Sequence, residues 1–316
     1  MQLRRLGQTD LSIAPLVFGG NVFGWTADKA TSFDLLDRFV GAGLNAIDTA
    51  DVYSAWVPGN KGGESETIIG EWLKARGKRD DVVIITKVGS EMGPGKKGLK
   101  ATYIEQAVEA SLRRLGIDTI DLYLAHFPDV STPHDETLSA FAKLKQAGKI
   151  RWFGGSNYNA EQLQASFDAA KANGLPRFEV LQPEYNLYDR GKYDGALRDL
   201  CIAAGLGVIT YFSLAKGFLS GKYRSEADLG QSPRGGAAKA YFNPRGFRIL
   251  DALAAVAGRR GAKSADVALA WLIQRSGVTA PIASATKPAQ VESLINGARL
   301  QLDPGDVAEL DAAAAP

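Results

Sequence analysis

Apolar residues along this chain come in short, nearly unbroken runs, separated by stretches where they recur every three or four positions. Eight runs have strand character: 15–20, 45–50, 82–88, 119–127, 150–157, 179–186, 207–214 and 280–285. Runs that are apolar at successive positions fit strands buried on both faces, as in a parallel sheet. The stretches between them have helical period. TSFDLLDRFVGAG (31–43) opens on a capping residue, spaces its apolar positions by three and four, and ends on glycine. Segments 64–77, 102–116, 133–148, 160–174, 193–205 and 288–297 follow the same pattern. Eight strands alternating with helices predict a (β/α)8 TIM barrel. An open doubly wound sheet is the alternative, but the GxGxxG that usually follows its first strand is missing.

Three segments depart from the repeat. LRRLGQTDLSIAP predicts a short N-terminal hairpin turning at Gly7–Asp10 and closing the barrel bottom. Residues 215–247 form a long glycine- and proline-rich loop of the C-terminal face, of the kind that is usually functional or mobile. Residues 248–275 hold two helices before the last strand. With no linker and no internal repeat, residues 1–316 read as one domain.

Composition adds exclusions. Net charge is +2 with no long basic run, so nucleic acid and anionic membrane are not expected partners. No stretch reaches the length of a membrane span, and MQLRRLGQTDLS lacks a signal-peptide core. Cys201 is the only cysteine, so no internal disulfide forms, and it reads as inert core. A reducing cytoplasm is the expected location.

Four ionisable residues interrupt or end three consecutive strand runs: Asp48 and Tyr53 in NAIDTADVY (45–53), Lys87 in VVIITKV (82–88), and His126 in IDLYLAHF (120–127). Adjacent barrel strands bring such positions together at the mouth where active sites form. Tyrosine is a poor acid, with an unperturbed pKa of about 10. Lys87 supplies a charge that lowers it, Asp48 holds Lys87, and His126 donates to a substrate oxygen or relays a proton. That set suits protonation of a carbonyl oxygen while a nicotinamide cofactor brings hydride to carbon. Singly, Lys87 also fits a structural ion pair, Asp48 a turn cap and Tyr53 core; their joint occurrence favours a site. His134, the other histidine, reads as a surface or capping residue.

At these residues the chain resembles the aldo-keto reductase family. NAIDTADVY, ITKVG (85–89), SLRRLGIDTIDLYLAH (111–126), AGKIRWFGGSN (147–157) and LQPEYNL (181–187) are similar to the family's ordered motifs. The resemblance covers nearly the whole length. It implies a (β/α)8 barrel and metal-free, NADPH-dependent carbonyl reduction. It places the proton donor on Tyr53, its supports on Lys87 and Asp48, and the family's histidine on His126.

The resemblance also places the cofactor. Ser156, Asn157 and Gln182 fall where the nicotinamide carboxamide is held, with Asp48 nearby, and Tyr211 where an aromatic ring meets the nicotinamide. YFSLAKGFLSGKY (211–223) is similar to the segment around the pyrophosphate, with Phe212, Ser213, Leu214, Lys216, Gly217 and Lys222 as candidates. Gly217 and Gly221 also fit ordinary turns, and the lysines solvated charges. PIASATKPAQVESLIN (281–296) departs from the pattern: Gln290 stands where many members have arginine, and Ser293–Leu294 where they have Glu–Asn. Ser284, Thr286 and Lys287 remain as phosphate ligands at a helix N-terminus. NADPH is expected, with NADH or dual use open.

For a small carbonyl or alcohol substrate, Trp25, Trp56 and Phe127 suggest an aromatic-walled pocket, suited to flat or ring-shaped ligands. Trp152, inside a strand, reads as core. The alanine-rich tail after Leu302 is expected to add little to the pocket. Two other classes fit in part: a Schiff-base aldolase using Lys87, and a nucleotide-sensing regulatory subunit, as some members of the family are for channels. No residue names the substrate or the oligomeric state.

Overall fold

A computed structural model describes Met1–Pro316. Two strands, β1 (Arg4–Arg5) and β2 (Ser12–Ile13), pair antiparallel around the turn at Gly7–Asp10. Gly7 has φ +59°, and a Cβ there would sit 2.3 Å from the backbone nitrogen of Gly207, so only glycine lets this turn lie against the barrel.

Eight parallel strands close the barrel: β3 (Val17–Gly19), β4 (Ala46–Asp48), β5 (Val83–Val88), β6 (Ile120–Ala125), β7 (Ile150–Ser156), β8 (Val180–Gln182), β9 (Gly207–Thr210) and β10 (Ala280–Ala283), with β10 paired to both β9 and β3. Helices α1 (Lys29–Gly41), α2 (Glu64–Arg76), α3 (Ala101–Leu115), α4 (His134–Gln146), α5 (Ala160–Ala172) and α6 (Ala196–Ala204) cover the outside. They are followed by α7 (Pro244–Arg260), α8 (Ser264–Ile273), α9 (Pro288–Arg299) and α10 (Pro304–Ala313). The first helix starts earlier than the sequence suggests: its cap is Asp28 rather than Thr31, whose N–H donates to Asp28 (2.8 Å), and Asn159 makes a reciprocal capping box with Gln162 at α5.

Strand alternation divides the core. Outward residues such as Ile47, Ile84, Tyr123 and Phe153 pack under the helices, while Val17, Ala46, Ile85, Leu122, Ile209 and Ile282 fill the barrel. Leu6, Leu11 and Ile13 of the hairpin join the inner cluster and plug the bottom, as expected.

The structure corrects the sequence reading at the strand ends, at residues 215–241 and at Trp152. Several strands are shorter: β8 stops before Pro183, which has no N–H to give, and β9 before Phe212, whose φ of +53° cannot continue a strand. Residues 215–241 are not an open loop but three 3₁₀ turns, and α7 begins at Pro244. Phe218 stacks on Tyr241 at 5.2 Å, and the Tyr241 hydroxyl donates to Asp189 (2.9 Å), which anchors this segment. Trp152 is half-buried at the barrel bottom, where its indole N–H donates to Asp10 and Lys145 lies over the ring. The tail is helix α10, tied down by Asp306 to Arg259 and Arg260, and by Asp311 to Arg190, Arg275 and Trp271. No helix is long and apolar enough to cross a membrane.

Candidate active site

The same alternation that puts Ala46, Ile85, Leu124, Val180 and Ile209 inside the barrel points the next inward positions at its C-terminal mouth: Asp48, Lys87, His126, Gln182 and Tyr211. Asp48 is the last residue of β4, and Tyr53 follows in a turn whose N–H bonds back to Ala50 (3.2 Å). His126 is fixed just past β6 by its N–H to the carbonyl of Val88 (2.8 Å).

Lys87 is fully buried, and its ammonium is surrounded by acceptors: both oxygens of Asp48 at 2.8 Å, the Thr49 carbonyl at 2.7 Å and the Tyr53 hydroxyl at 3.0 Å. The Tyr53 hydroxyl also lies 3.3 Å from Asp48 Oδ2. Burial pushes the Lys87 pKa down and Asp48 pushes it back up. Burial, and next the Asp48 carboxylate, hold the Tyr53 phenol well above 10. This reverses the sequence expectation of a lowered Tyr53 pKa. In the resting site the phenol keeps its proton.

Burial, then the Lys87 charge, push His126 well below its ordinary value, so the imidazole is neutral near pH 7. Its Nδ1 lies 2.9 Å from the hydroxyl of Ser90. When Ser90 donates, Nδ1 accepts and Nε2 carries the proton.

Ser156, Asn157, Gln182 and Tyr211 form one network. Gln182 donates to Asp48 (2.8 Å), Ser156 to the Gln182 carbonyl (2.9 Å), Asn157 to the His126 carbonyl (2.9 Å), and Tyr211 to Asn157 Oδ1 (2.6 Å). Phe212 meets Tyr211 edge-on at 5.0 Å and is exposed. Ser213 is buried and bonds the Thr210 carbonyl (3.2 Å), while Leu214 is half-buried. The chain's five non-glycine residues with positive φ are Ser54, Asn157, Phe212, Ala215 and Lys216. All five lie in these mouth segments, and such strain gathers where a site constrains the backbone. Gly217, at φ +97°, continues that bend.

Lys216 lies over the Phe212 ring and Lys222 over Tyr223, and neither has an acidic partner. At the start of α9, Gln290 folds back to accept from the N–H of Thr286 (2.7 Å), Ser284 donates to Asn21 (2.6 Å), and Lys287 is exposed and unpaired. Ser293 and Leu294 are buried, with the Ser293 hydroxyl on Asp266, and do not face the mouth.

Trp25 and Trp56 meet edge-to-face at 5.7 Å, Trp56 lies 6.1 Å from Tyr53, and Phe127 stacks on His126 at 4.8 Å. The three expected aromatics therefore do rim the tetrad. Two residues here escaped the sequence reading. Ser90 follows the lysine segment, and a hydroxyl just past β5 was the available signal. Arg234 lies over Trp25 at 5.9 Å with no acidic partner; the signal was a cation inside the glycine-rich stretch. A cavity of about 1260 Å³ lies at the other end of the barrel, where Asp121 pairs with both Arg79 and Arg151.

The model of the Aldo/keto reductase family matches residues 15–315. The aldo-keto reductase YhdN of Bacillus subtilis (strain 168) is 32% identical over 90% of this chain and 83% of its own length. The uncharacterized oxidoreductase YrpG of the same organism is 32% identical over 96% and 93%. A probable voltage-gated potassium channel subunit beta of Arabidopsis thaliana is 32% identical over 92% and 89%. The chain belongs to the aldo/keto reductase family.

Proposed function

We propose that the protein is an NADPH-preferring oxidoreductase that reversibly reduces aldehydes or ketones to alcohols, with NADH as a second cofactor. The observation that carries this is the Tyr53 hydroxyl held between Lys87 at 3.0 Å and Asp48 at 3.3 Å, in a mouth rimmed by aromatics. Tyr53 gives its proton to the carbonyl oxygen, Lys87 stabilises the phenolate left behind, and Asp48 keeps Lys87 in place. Neutral His126, with Ser90 donating to Nδ1, offers an Nε2–H that orients the carbonyl. The reduced nicotinamide supplies the hydride when bound.

The residues present fit that group. Ser156, Asn157 and Gln182 offer amide and hydroxyl partners for a carboxamide, and Tyr211 offers a half-exposed ring. Lys216, Lys222, Lys287 and Arg234 are cations without acidic partners, which suits a pyrophosphate and a 2′-phosphate. Substrates are small carbonyl compounds with a flat or cyclic apolar portion, and the working location is the cytoplasm.

A second reading is a nucleotide-sensing regulatory subunit, favoured by the relative named as a potassium channel subunit beta. The intact Asp48, Tyr53, Lys87 and His126 set weighs against it. A Lys87 Schiff base fits less well, because an ammonium committed to Asp48 and Thr49 has no free lone pair. The test is fluorescence titration with NADPH and with NADH, followed by a panel of carbonyls. Binding with consumption of reduced cofactor supports the reductase. Tight binding without consumption favours the sensor, and no binding overturns both.

A further inference from the structure

Behind the Tyr53–Lys87 pair lies a carboxyl that the mechanism does not use. Asp51 sits in the turn joining Asp48 to Tyr53, and its N–H donates to the carbonyl of Lys87 (3.3 Å). Its side chain is 2% exposed, and neither carboxyl oxygen has a hydrogen-bond partner. Facing it are Glu66 of α2, Arg114 and Tyr103 of α3, Lys87 of β5 and Tyr123 of β6, whose own hydroxyl is buried without a partner.

Both cations in this set are already engaged. Arg114 donates to Glu66 Oε2 (2.6 Å), Glu66 also accepts from Thr86 (2.6 Å), and Lys87 is held by Asp48. Three buried carboxyls, Asp48, Asp51 and Glu66, thus share two cations, Lys87 and Arg114. A buried anion without a paired cation and without a well-formed hydrogen bond is so unfavourable that the group takes up a proton instead.

We propose that Asp51 is a positioning residue of the site: a neutral carboxyl behind Lys87 whose ionisation places an uncompensated negative charge near the Lys87–Tyr53 pair and slows proton donation by Tyr53. This rests on the assignment of Tyr53 as proton donor. Burial, and then Glu66, raise the Asp51 pKa to about 8, against the pull of Arg114, the nearby Val52 N–H and Lys87. An ionised Asp51 raises the Tyr53 phenol further, so the phenolate formed during reduction becomes harder to reach. The folded-state pKa lies above the unfolded one, so the proton's contribution to stability is full at low pH and is lost as pH rises through about 8.

The test compares wild type with Asp51→Asn, which mimics the protonated form. Between about pH 5 and about pH 9 the ligand-free wild type should lose several degrees of Tm relative to the variant. A constant offset across that range overturns the proposal. Should the variant not fold, the ¹³Cγ resonance of Asp51 in labelled wild type gives the same answer: titration near pH 8 supports it, and titration near pH 4 overturns it. In the folded variant, the alkaline fall in kcat/KM for reduction should move up by about one pH unit or more. An unmoved alkaline limb overturns the coupling to Tyr53. The first two measurements need no turnover, so an absence of carbonyl reduction would sink the reductase assignment without touching the titration of Asp51.

Discussion

The hydroxyl of Tyr53 lies 3.0 Å from the ammonium of Lys87, yet its pKa is raised, because burial and the Asp48 carboxylate outweigh that contact. A nearby cation does not by itself make a tyrosine acidic. Here Lys87 is neutralised by Asp48 at 2.8 Å, and the phenol meets the field of the pair rather than of a lone charge. At rest the phenol therefore keeps its proton.

Lys87→Met should be costly to the fold as well as to turnover. It leaves the buried Asp48 carboxylate unpaired, for which about 3–5 kcal/mol of destabilisation is expected. Lys87→Met combined with Asp48→Asn should recover much of that stability and none of the activity. Urea denaturation and a turnover assay on the three proteins separate the two effects. Equal destabilisation of single and double variants would argue against the ion pair.

His126 gives a pH dependence of known direction. Its folded-state pKa is depressed by burial and Lys87, so below about pH 6.5 the unfolded chain binds a proton that the folded one refuses. Stability should therefore fall as pH drops below that point, and His126→Gln should lose this portion of the slope. Thermal melts across mildly acidic pH check it.

Ser90→Ala tests the tautomer. Without the hydroxyl at 2.9 Å from Nδ1, the imidazole is free to put its proton on either nitrogen. A loss of roughly fivefold to tenfold in kcat/KM is expected, the size of one neutral hydrogen bond of about 1 kcal/mol. An unchanged kcat/KM would mean that the orientation of His126 is set elsewhere.

Gln290→Arg should sharpen the choice of cofactor. Gln290 now spends its side chain on the N–H of Thr286 (2.7 Å) and brings no charge to the α9 start. A guanidinium there should favour NADPH over NADH by about tenfold or more in affinity ratio, since hydrogen bonds to charged groups are worth about 1.5–3 kcal/mol. Lys287→Ala should shift the ratio the other way. Fluorescence titration of both cofactors reads each outcome.

Much of this was legible in the sequence for one reason: a two-residue period. Lys87 follows Val83 and Ile85 at inward positions, so a charge that breaks an apolar run at the strand's end is aimed at the mouth. Asp48 and His126 stand out in the same way at the ends of their runs, whereas Ser156 and Gln182 were legible only through the resemblance of their motifs to the family's. What stayed hidden depends on pairings between elements. Asp51 looks like any acid in a turn until the competition of Glu66 for Arg114 is seen. The 215–241 segment reads as loop by its glycines and prolines, because the Phe218–Tyr241 stack that orders it has no local period. Trp152 has an inward register and packs against the inner cluster, but at the barrel's bottom end it stays half-buried with its indole N–H on Asp10.

The most direct measurement follows the label from cofactor to product in wild type and Tyr53→Phe. NADPH deuterated at the transferring position of the nicotinamide is given with an aromatic aldehyde. Deuterium is expected on the carbinol carbon in wild type. In Tyr53→Phe the expected rate is lower by about a hundredfold or more, with NADPH affinity nearly unchanged. Deuterium missing from the carbinol carbon, or a Tyr53→Phe variant that turns over at the wild-type rate, would contradict this mechanism.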